Sequence, residues 1–524
     1  MNIPGRLNSF IWRTTRQTPR AWLAQIGVAL LASLLLGALA VLQDRLPQRV
    51  GYLLVMAAAG GCALMIIGNL KKVLLAAILI DIPLRWDVYL GARVANSPLG
   101  MREGWMIGLT TLALVGLLAI YLLQELARPH SHPRLRLADN LPLLAYMGVV
   151  CLSTFVAQDT RGALFQIFFL AQMVLLYVYV VSVTRTAGDV WFIMLFLLAG
   201  LALEGLIVLA QRFLGLQINL LGIVTVNSYG RMAGTLGSPN VAAGFFSLLL
   251  APALGLAFGR ISNLARAGAL AAFGLGGLGL LLTISRGGWM AFAISVIFVV
   301  LMLWLRGRLS SGVVVVALFA AVVGLVLFGG VLFDRLVGMR TNAAMARIPL
   351  MKLAWEMIRD RPFLGVGANN YVLNMKQYMI PELTRGFLYV VHNKYLLVWA
   401  ETGLMGILTY LGFLGLTLWR GWRCWTRNHP LFSPLALGLI AAIVGQMAHM
   451  MVEIFDARSQ VQSLWLVAAL VSALDAMTRS GNGEEAAAGA AAGATGAGGV
   501  GGTAGAAGAA AGGAGAGGGS HGSA

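Results

Sequence analysis

Long apolar runs separated by short polar segments dominate the chain. An apolar run of roughly 17–25 residues is the length at which an α-helix crosses the hydrocarbon core of a bilayer. Windows of that kind fall near 21–43, 51–69, 73–90, 105–126, 141–157, 162–184, 190–211, 241–258, 265–284, 287–306, 311–333, 394–420, 433–452 and 459–477. The pattern predicts an all-α fold, a polytopic transmembrane helical bundle of about 12–14 spans. The windows between 51 and 90 are the weakest, and losing one pair of them leaves the orientation of everything downstream unchanged. One interval interrupts the rhythm. Residues 334–393 form a long polar loop, so the chain divides into N-terminal spans (1–333), this loop, C-terminal spans (394–480) and a Gly/Ala-rich tail (481–524). The tail has too little apolar bulk to build a core and reads as disordered.

Composition agrees with the pattern. Of 524 residues, 59% are hydrophobic and 11% charged, where soluble domains carry about a quarter charged residues. The net charge of +18 is spread as small groups between apolar runs, which is how membrane-protein loops look and not how a nucleic-acid surface looks. Cys62, Cys151 and Cys424 lie far apart and give neither metal spacing nor a disulfide framework. The apolar runs are too many for a secretory signal peptide to explain. Lys and Arg favour alternate short connections, among them Lys71, Lys72, Arg185, Arg260, Arg266, Arg306, Arg308, Arg423, Arg427 and Arg479. By the positive-inside rule those connections are cytoplasmic, both termini are cytoplasmic, and the loops 212–240, 285–288 and 334–393 face outside.

The outside face collects the residues with chemistry. Arg212 follows a span, Arg231 lies in "SYGRMAGTLGSPN", Arg286 in "ISRGGWM", and His392 opens "HNKYLLVWAETGLMG". Three spans begin at this face with the look of a cap: Ser238 before Pro239 and Asn240, Ser285 before Arg286, and Asn393 after His392. Helix N-termini expose unpaired N–H groups and attract anions, and an arginine fork suits phosphate oxygens. Taken singly, each arginine reads first as a snorkelling anchor, and Gly287 and Gly288 read equally as close-packing positions. His392 is a candidate general base or an interfacial hydrogen-bonding group. His449 stands four residues before Glu453, a spacing that puts both on one helical face. Glu204 and Glu401 fall inside spans, where a carboxylate is costly and needs a partner. Glu204 lies about two turns before Arg212, which it is placed to support. In the long loop, Ile348, Met351, Trp355 and Ile358 recur at helical spacing, marking an amphipathic helix that either lies on the bilayer interface or caps the bundle. "RPFLGVGANNY" then turns, and offers Arg361 and a glycine-containing loop as further phosphate candidates.

Four segments in this order resemble the O-antigen ligase and O-antigen polymerase superfamily: "GTLGSPNVAAGFF", "SRGGWMAF", "AWEMIRDRPFLGVGANNY" and "HNKYLLVWAETGLMG". The resemblance covers roughly 205–410; the first 200 residues match only as generic spans. It implies a bacterial inner-membrane glycosyltransferase working at the periplasmic face. The donor is then a glycan on undecaprenyl diphosphate. The acceptor is a sugar hydroxyl, of lipid A-core for a ligase or of the next lipid-linked repeat for an O-antigen or exopolysaccharide polymerase. No cofactor and no metal are implied, and the outside loops carry no Asp-x-Asp or carboxylate cluster. In that picture His392 takes the proton from the acceptor, Arg212, Arg231 and Arg286 hold the departing diphosphate, Asn393 and Tyr395 orient His392 or the sugar, and Arg361 is a secondary phosphate ligand. The expectation is a single displacement with inversion at the anomeric carbon, by a ligase in preference to a polymerase. A transporter of polysaccharide or lipid-linked glycan is the rival from another class. Transporter folds show internal repeats and midplane sites, whereas the polar residues here gather at one face.

Overall fold

The computed structural model describes residues 69–92, 100–127, 140–220, 223–228, 230–310, 347–383 and 389–479. The windows near 21–43, 51–69 and 311–333 and the tail 481–524 lie outside the described residues. The order is α1 (Leu70–Leu84), β1 (Asp87–Leu90), β2 (Trp105–Gly108), α2 (Leu109–Ala127), α3 (Leu141–Leu152), α4 (Thr160–Val183), α5 (Ala187–Leu214), strands β3–β6 between 219 and 232, α6 (Pro239–Ala257), α7 (Asn263–Leu282), α8 (Arg286–Leu305), α9 (Arg347–Asp360), α10 (Lys394–Thr426), α11 (Phe432–His449) and α12 (Arg458–Arg479). Among the described residues 8 helices are long and apolar enough to cross a membrane, namely α4–α8 and α10–α12. The chain is an all-α, multi-pass membrane protein whose only strands, among the described residues, form three two-stranded hairpins.

Two windows differ from the sequence reading. The helix in 73–90 ends at Leu84, and Asp87–Leu90 pair antiparallel with Trp105–Gly108, Asp87 opposite Gly108. The cause is a buried charge network. Asp81, completely buried, accepts from the amide of Trp86 (2.9 Å) and from the amide and hydroxyl of Thr110 (2.9 and 2.7 Å). Arg458 then bridges Asp81 and Asp87 at 2.5 and 3.0 Å. A carboxylate so satisfied is tolerated where an unpaired one is not.

Helices α6, α11 and α12 are buried along most of their length, while most positions of α7 and α8 are partly or fully exposed. Small residues set the close approaches. A side chain at Gly255 would strike the backbone around Pro434 and Gly438, and one at Gly445 the carbonyl of Ala291. Among the described residues, the polar contacts of the connections gather at two ends. At one end Arg260 bonds Pro430, Arg306 and Arg308 reach Asn428, and Arg423, Arg427 and Arg479 surround the buried Asp475. At the other lie the hairpins, α9 and the residues preceding α10.

Helix α10 is two helices. Gly403 has φ 69° and ψ −170°, a conformation open to glycine and closed to residues with a Cβ. The bend is visible in how α10 meets α11. Ser433 donates to the Cys424 carbonyl at 2.9 Å and Tyr395 to the Met447 carbonyl at 2.8 Å. Those ties are about 21 Å apart along α11 but about 43 Å apart along a straight α10. The segment 394–402 therefore turns steeply away from 404–426. The broken ladder is repaired by the turn after α9: Val366 and Gly367 donate to the carbonyls of Ala400 and Glu401 (both 2.9 Å), and Leu404 donates to that of Pro362 (2.7 Å). A Cβ on Gly365 would run into the Ala400 carbonyl, and one on Gly403 into the Phe363 carbonyl.

Candidate functional site

The turn that repairs α10 also ties it to the segments around Arg102 and Asp159. Asn369, at φ 55°, exchanges hydrogen bonds with the backbone of Arg102 (2.7 and 3.0 Å) and donates to the Gly162 carbonyl (3.0 Å). Asn370 exchanges bonds with the backbone of Asp159. Arg102 stacks on Phe169 and pairs with Asp456 at 2.9 Å, and Lys394 reaches the same carboxylate at 3.1 Å. Burial pushes the Asp456 carboxyl up, but Lys394 and Arg102 outweigh it and hold the group below its usual range. The Glu401 carboxylate accepts from the Tyr371 amide at 3.4 Å, and a small cleft lined by Gln166, Asn369, Val390, Glu401, Ile454 and Asp456 separates it from the loop before His392.

His392 is half-buried in the segment leading into α10. Its Nδ1 lies 3.1 Å from the Val390 carbonyl. A carbonyl accepts only, so Nδ1 carries the proton and Nε2 keeps its lone pair. The Tyr389 ring packs beside the imidazole at 5.4 Å between centroids. Burial lowers the His392 pKa from its ordinary value of 6.5, and Arg347, the first residue of α9, lowers it further. Asn393 caps α10, accepting from the amides of Tyr395 and Leu396 at 3.0 and 3.1 Å, and the Tyr395 hydroxyl is spent on Met447. Both residues fix the start of α10, directly after His392.

Arg231 enters from the hairpin β5–β6, Asn227–Ser228 paired with Arg231–Met232. It donates to the Thr283 carbonyl (3.0 Å) and to Asn240 Oδ1 (2.7 Å). The Ser285 hydroxyl donates to the same Asn240 oxygen at 3.3 Å. Ser238 caps α6 by accepting from Val241, with Pro239 in the first turn. Ser285 stands at the cap position of α8 without capping it, since its hydroxyl serves Asn240. Arg286 is therefore exposed at the first position of a helix whose end amides have no side-chain cap. Gly287 lets His449 in: a Cβ there would lie 3.0 Å from the imidazole Nε2. Helix α11 ends at His449, so Glu453 lies in the following turn and does not share a helical face with it. Glu453 is buried, and burial raises its carboxyl pKa against the opposing pull of Arg347, Asn240 and Arg231. It also raises the pKa of Tyr389, after burial itself. Arg347 thus acts on both His392 and Glu453, and Glu453 in turn connects to Tyr389, Asn240 and Arg231.

Other candidates lie apart or do other work. Arg212 is exposed and shares no hydrogen bond or ion pair with this cluster among the described residues. Glu204 does not support it; both carboxylate oxygens of Glu204 are taken by the amide and hydroxyl of Thr235, fixing the loop before Ser238. Arg361 follows the far end of α9, about 21 Å of helix from Arg347, and pairs with Asp360 at 3.7 Å. The glycine turn after it is no phosphate cradle at Val366 and Gly367, because those amides are bound to α10. Arg347 was missed in the sequence, where the polar start of the amphipathic helix was the available signal.

Residues 271–411 match the family model of O-antigen ligase. Three of the four motif segments lie inside that match, and "GTLGSPNVAAGFF" lies before it. The match supports the O-antigen ligase and polymerase superfamily for this chain, and with it a membrane glycosyltransferase type of enzyme. No curated protein matches the chain.

Proposed function

We propose that the chain transfers a glycan from undecaprenyl diphosphate to a sugar hydroxyl of lipid A-core, as an O-antigen ligase of the bacterial inner membrane. The site faces the periplasm and both termini the cytoplasm, as the arginine-rich opposite end suggests. The observation that carries the reading is a half-buried imidazole, its Nδ1 on the Val390 carbonyl and Arg347 acting on it, inside the matched family segment.

The acceptor oxygen attacks the anomeric carbon as the bond from that carbon to the diphosphate breaks. The hydroxyl proton goes to Nε2 of His392, and the departing undecaprenyl diphosphate takes the bonding pair. Attack opposite the leaving group inverts the anomeric centre. Arg231 and Arg286, with the uncapped start of α8, are placed to receive the growing negative charge, and Arg347 extends that field to His392. Arg212 enters this picture only as an exposed residue that a bound donor would have to reach.

A base must be unprotonated, and Arg347 helps keep His392 so. Arg347→Gln removes a cation that depresses the His392 pKa, so that pKa rises towards its ordinary value of 6.5. The acid limb of the pH–rate profile for transfer then moves to higher pH. An unmoved limb, with transfer otherwise intact, would show that Arg347 does not tune the base.

The deciding experiment uses purified protein in liposomes with undecaprenyl-diphosphate glycan, with and without lipid A-core. Product on lipid A-core alone supports a ligase. Chain growth without lipid A-core makes the enzyme a polymerase, and glycan flux without a new glycosidic bond makes it a transporter.

A further inference from the structure

The turn that repairs α10 turns apolar side chains outward. Phe363 is 66% and Leu364 37% exposed, although the backbone of the turn is bonded to α10. The same turn is tied to the end of α3, where the Ala368 amide donates to Ser153 at 3.1 Å and Gly367 lies against Ala157. Phe155, in that stretch, is 85% exposed. These side chains continue the exposed apolar stripe of α10, Met405, Leu408 and Leu411.

The level of the turn follows from α10. Trp419 and Trp422 are exposed near its arginine-rich end, and indole rings favour the membrane–water boundary. Gly403 is about 28 Å of helix from Trp422, against a hydrocarbon thickness of about 30 Å. Gly403, and the turn seated on it, therefore meets the opposite boundary. Arg359 and Arg361 are exposed just before Phe363, where their stems can run along apolar surface with the charge among headgroups.

We propose that the turn 362–365 and the end of α3 are inserted in the leaflet, with Phe363, Leu364 and Phe155 in contact with phospholipid acyl chains. The described part of the long loop, residues 347–383 and 389–393, is on this account partly a membrane-interface element and not wholly an aqueous one. The inference is independent of what the enzyme transfers.

The test uses full-length protein with Cys62, Cys151 and Cys424 replaced by Ala. One cysteine is introduced by Phe363→Cys, labelled with an environment-sensitive fluorophore, and the protein is placed in liposomes. Leu408→Cys serves as the lipid reference and Gln377→Cys, exposed in the loop, as the aqueous one. Acyl-chain-brominated phospholipid is expected to quench the probe at 363 as it does at 408, and iodide to leave it bright. Quenching by iodide as at 377, without quenching by brominated lipid, overturns the proposal. Protection from both quenchers also overturns it, because a protein neighbour then covers the turn. Phe155→Cys repeats the measurement at an independent position if the 363 variant fails to fold.

Discussion

His392→Ala protein that inserts and folds normally is expected to lose transfer by about 10²–10⁴-fold, the usual contribution of a general base. The imidazole is half-buried and rests beside Tyr389 and the Val390 carbonyl. Its removal therefore costs little packing, while the cap of α10 is made by Asn393 and survives. The comparison with Asn393→Ala separates chemistry from positioning. That variant removes two hydrogen bonds at a helix start, which costs about 1 kcal/mol of stability, and lets the imidazole drift. It should retain more activity than His392→Ala while unfolding at lower temperature. Full transfer by a normally abundant His392→Ala protein would remove the base from the mechanism.

The second large effect falls on stability. Arg458→Met should destabilise the protein by about 3–5 kcal/mol, the range for breaking a buried ion pair by removing one partner. Arg458 and Asp81 are 3% and 0% exposed, and Asp87 depends on the same guanidinium. The deficit should grow with pH. Burial already raises the Asp87 pKa, with Arg458 the largest opposing influence, and losing Arg458 raises it further. A carboxyl with a folded pKa above its unfolded value binds its proton better when folded, so its contribution is lost as pH rises through that folded pKa. Unfolding in detergent, followed by circular dichroism at pH 5 and pH 8, reads both effects. A midpoint equal to wild type at pH 8 would mean that the network stores no stability.

The fold was legible in the sequence wherever length and hydropathy decide it. The runs from 162 to 306 and from 433 to 477 became helices α4–α8, α11 and α12 with small shifts at their ends. The caps at Ser238 and Asn393 were equally legible, since a cap is local chemistry. What escaped was pairing between distant segments. "HNKYLLVWAETGLMG" reads as one uninterrupted run because Gly403 is silent in a hydropathy pattern. Its break exists only because a turn some forty residues earlier supplies the missing hydrogen bonds. Glu204 invited a partner on its own helix and found Thr235 instead. Arg347 looked like one more loop cation until α9 brought it beside His392. Arg231 was singled out for phosphate chemistry and Asn240 only beside the Ser238 cap, and their direct contact is a tertiary fact.

The repair of α10 has a further consequence for how freely this region can vary. The three bonds between the turn and the broken helix run from main chain to main chain, so none of them reads a side chain. The geometry beside the base is written in backbone shape, with letters required where a Cβ would collide, at Gly365 and Gly403 as at Gly367 beside them. The residues between those two glycines and their partners are thereby released to answer to their surroundings. A library randomised over Pro362–Val366 and Ala400–Leu404 should accordingly be strict at two positions and permissive at most others.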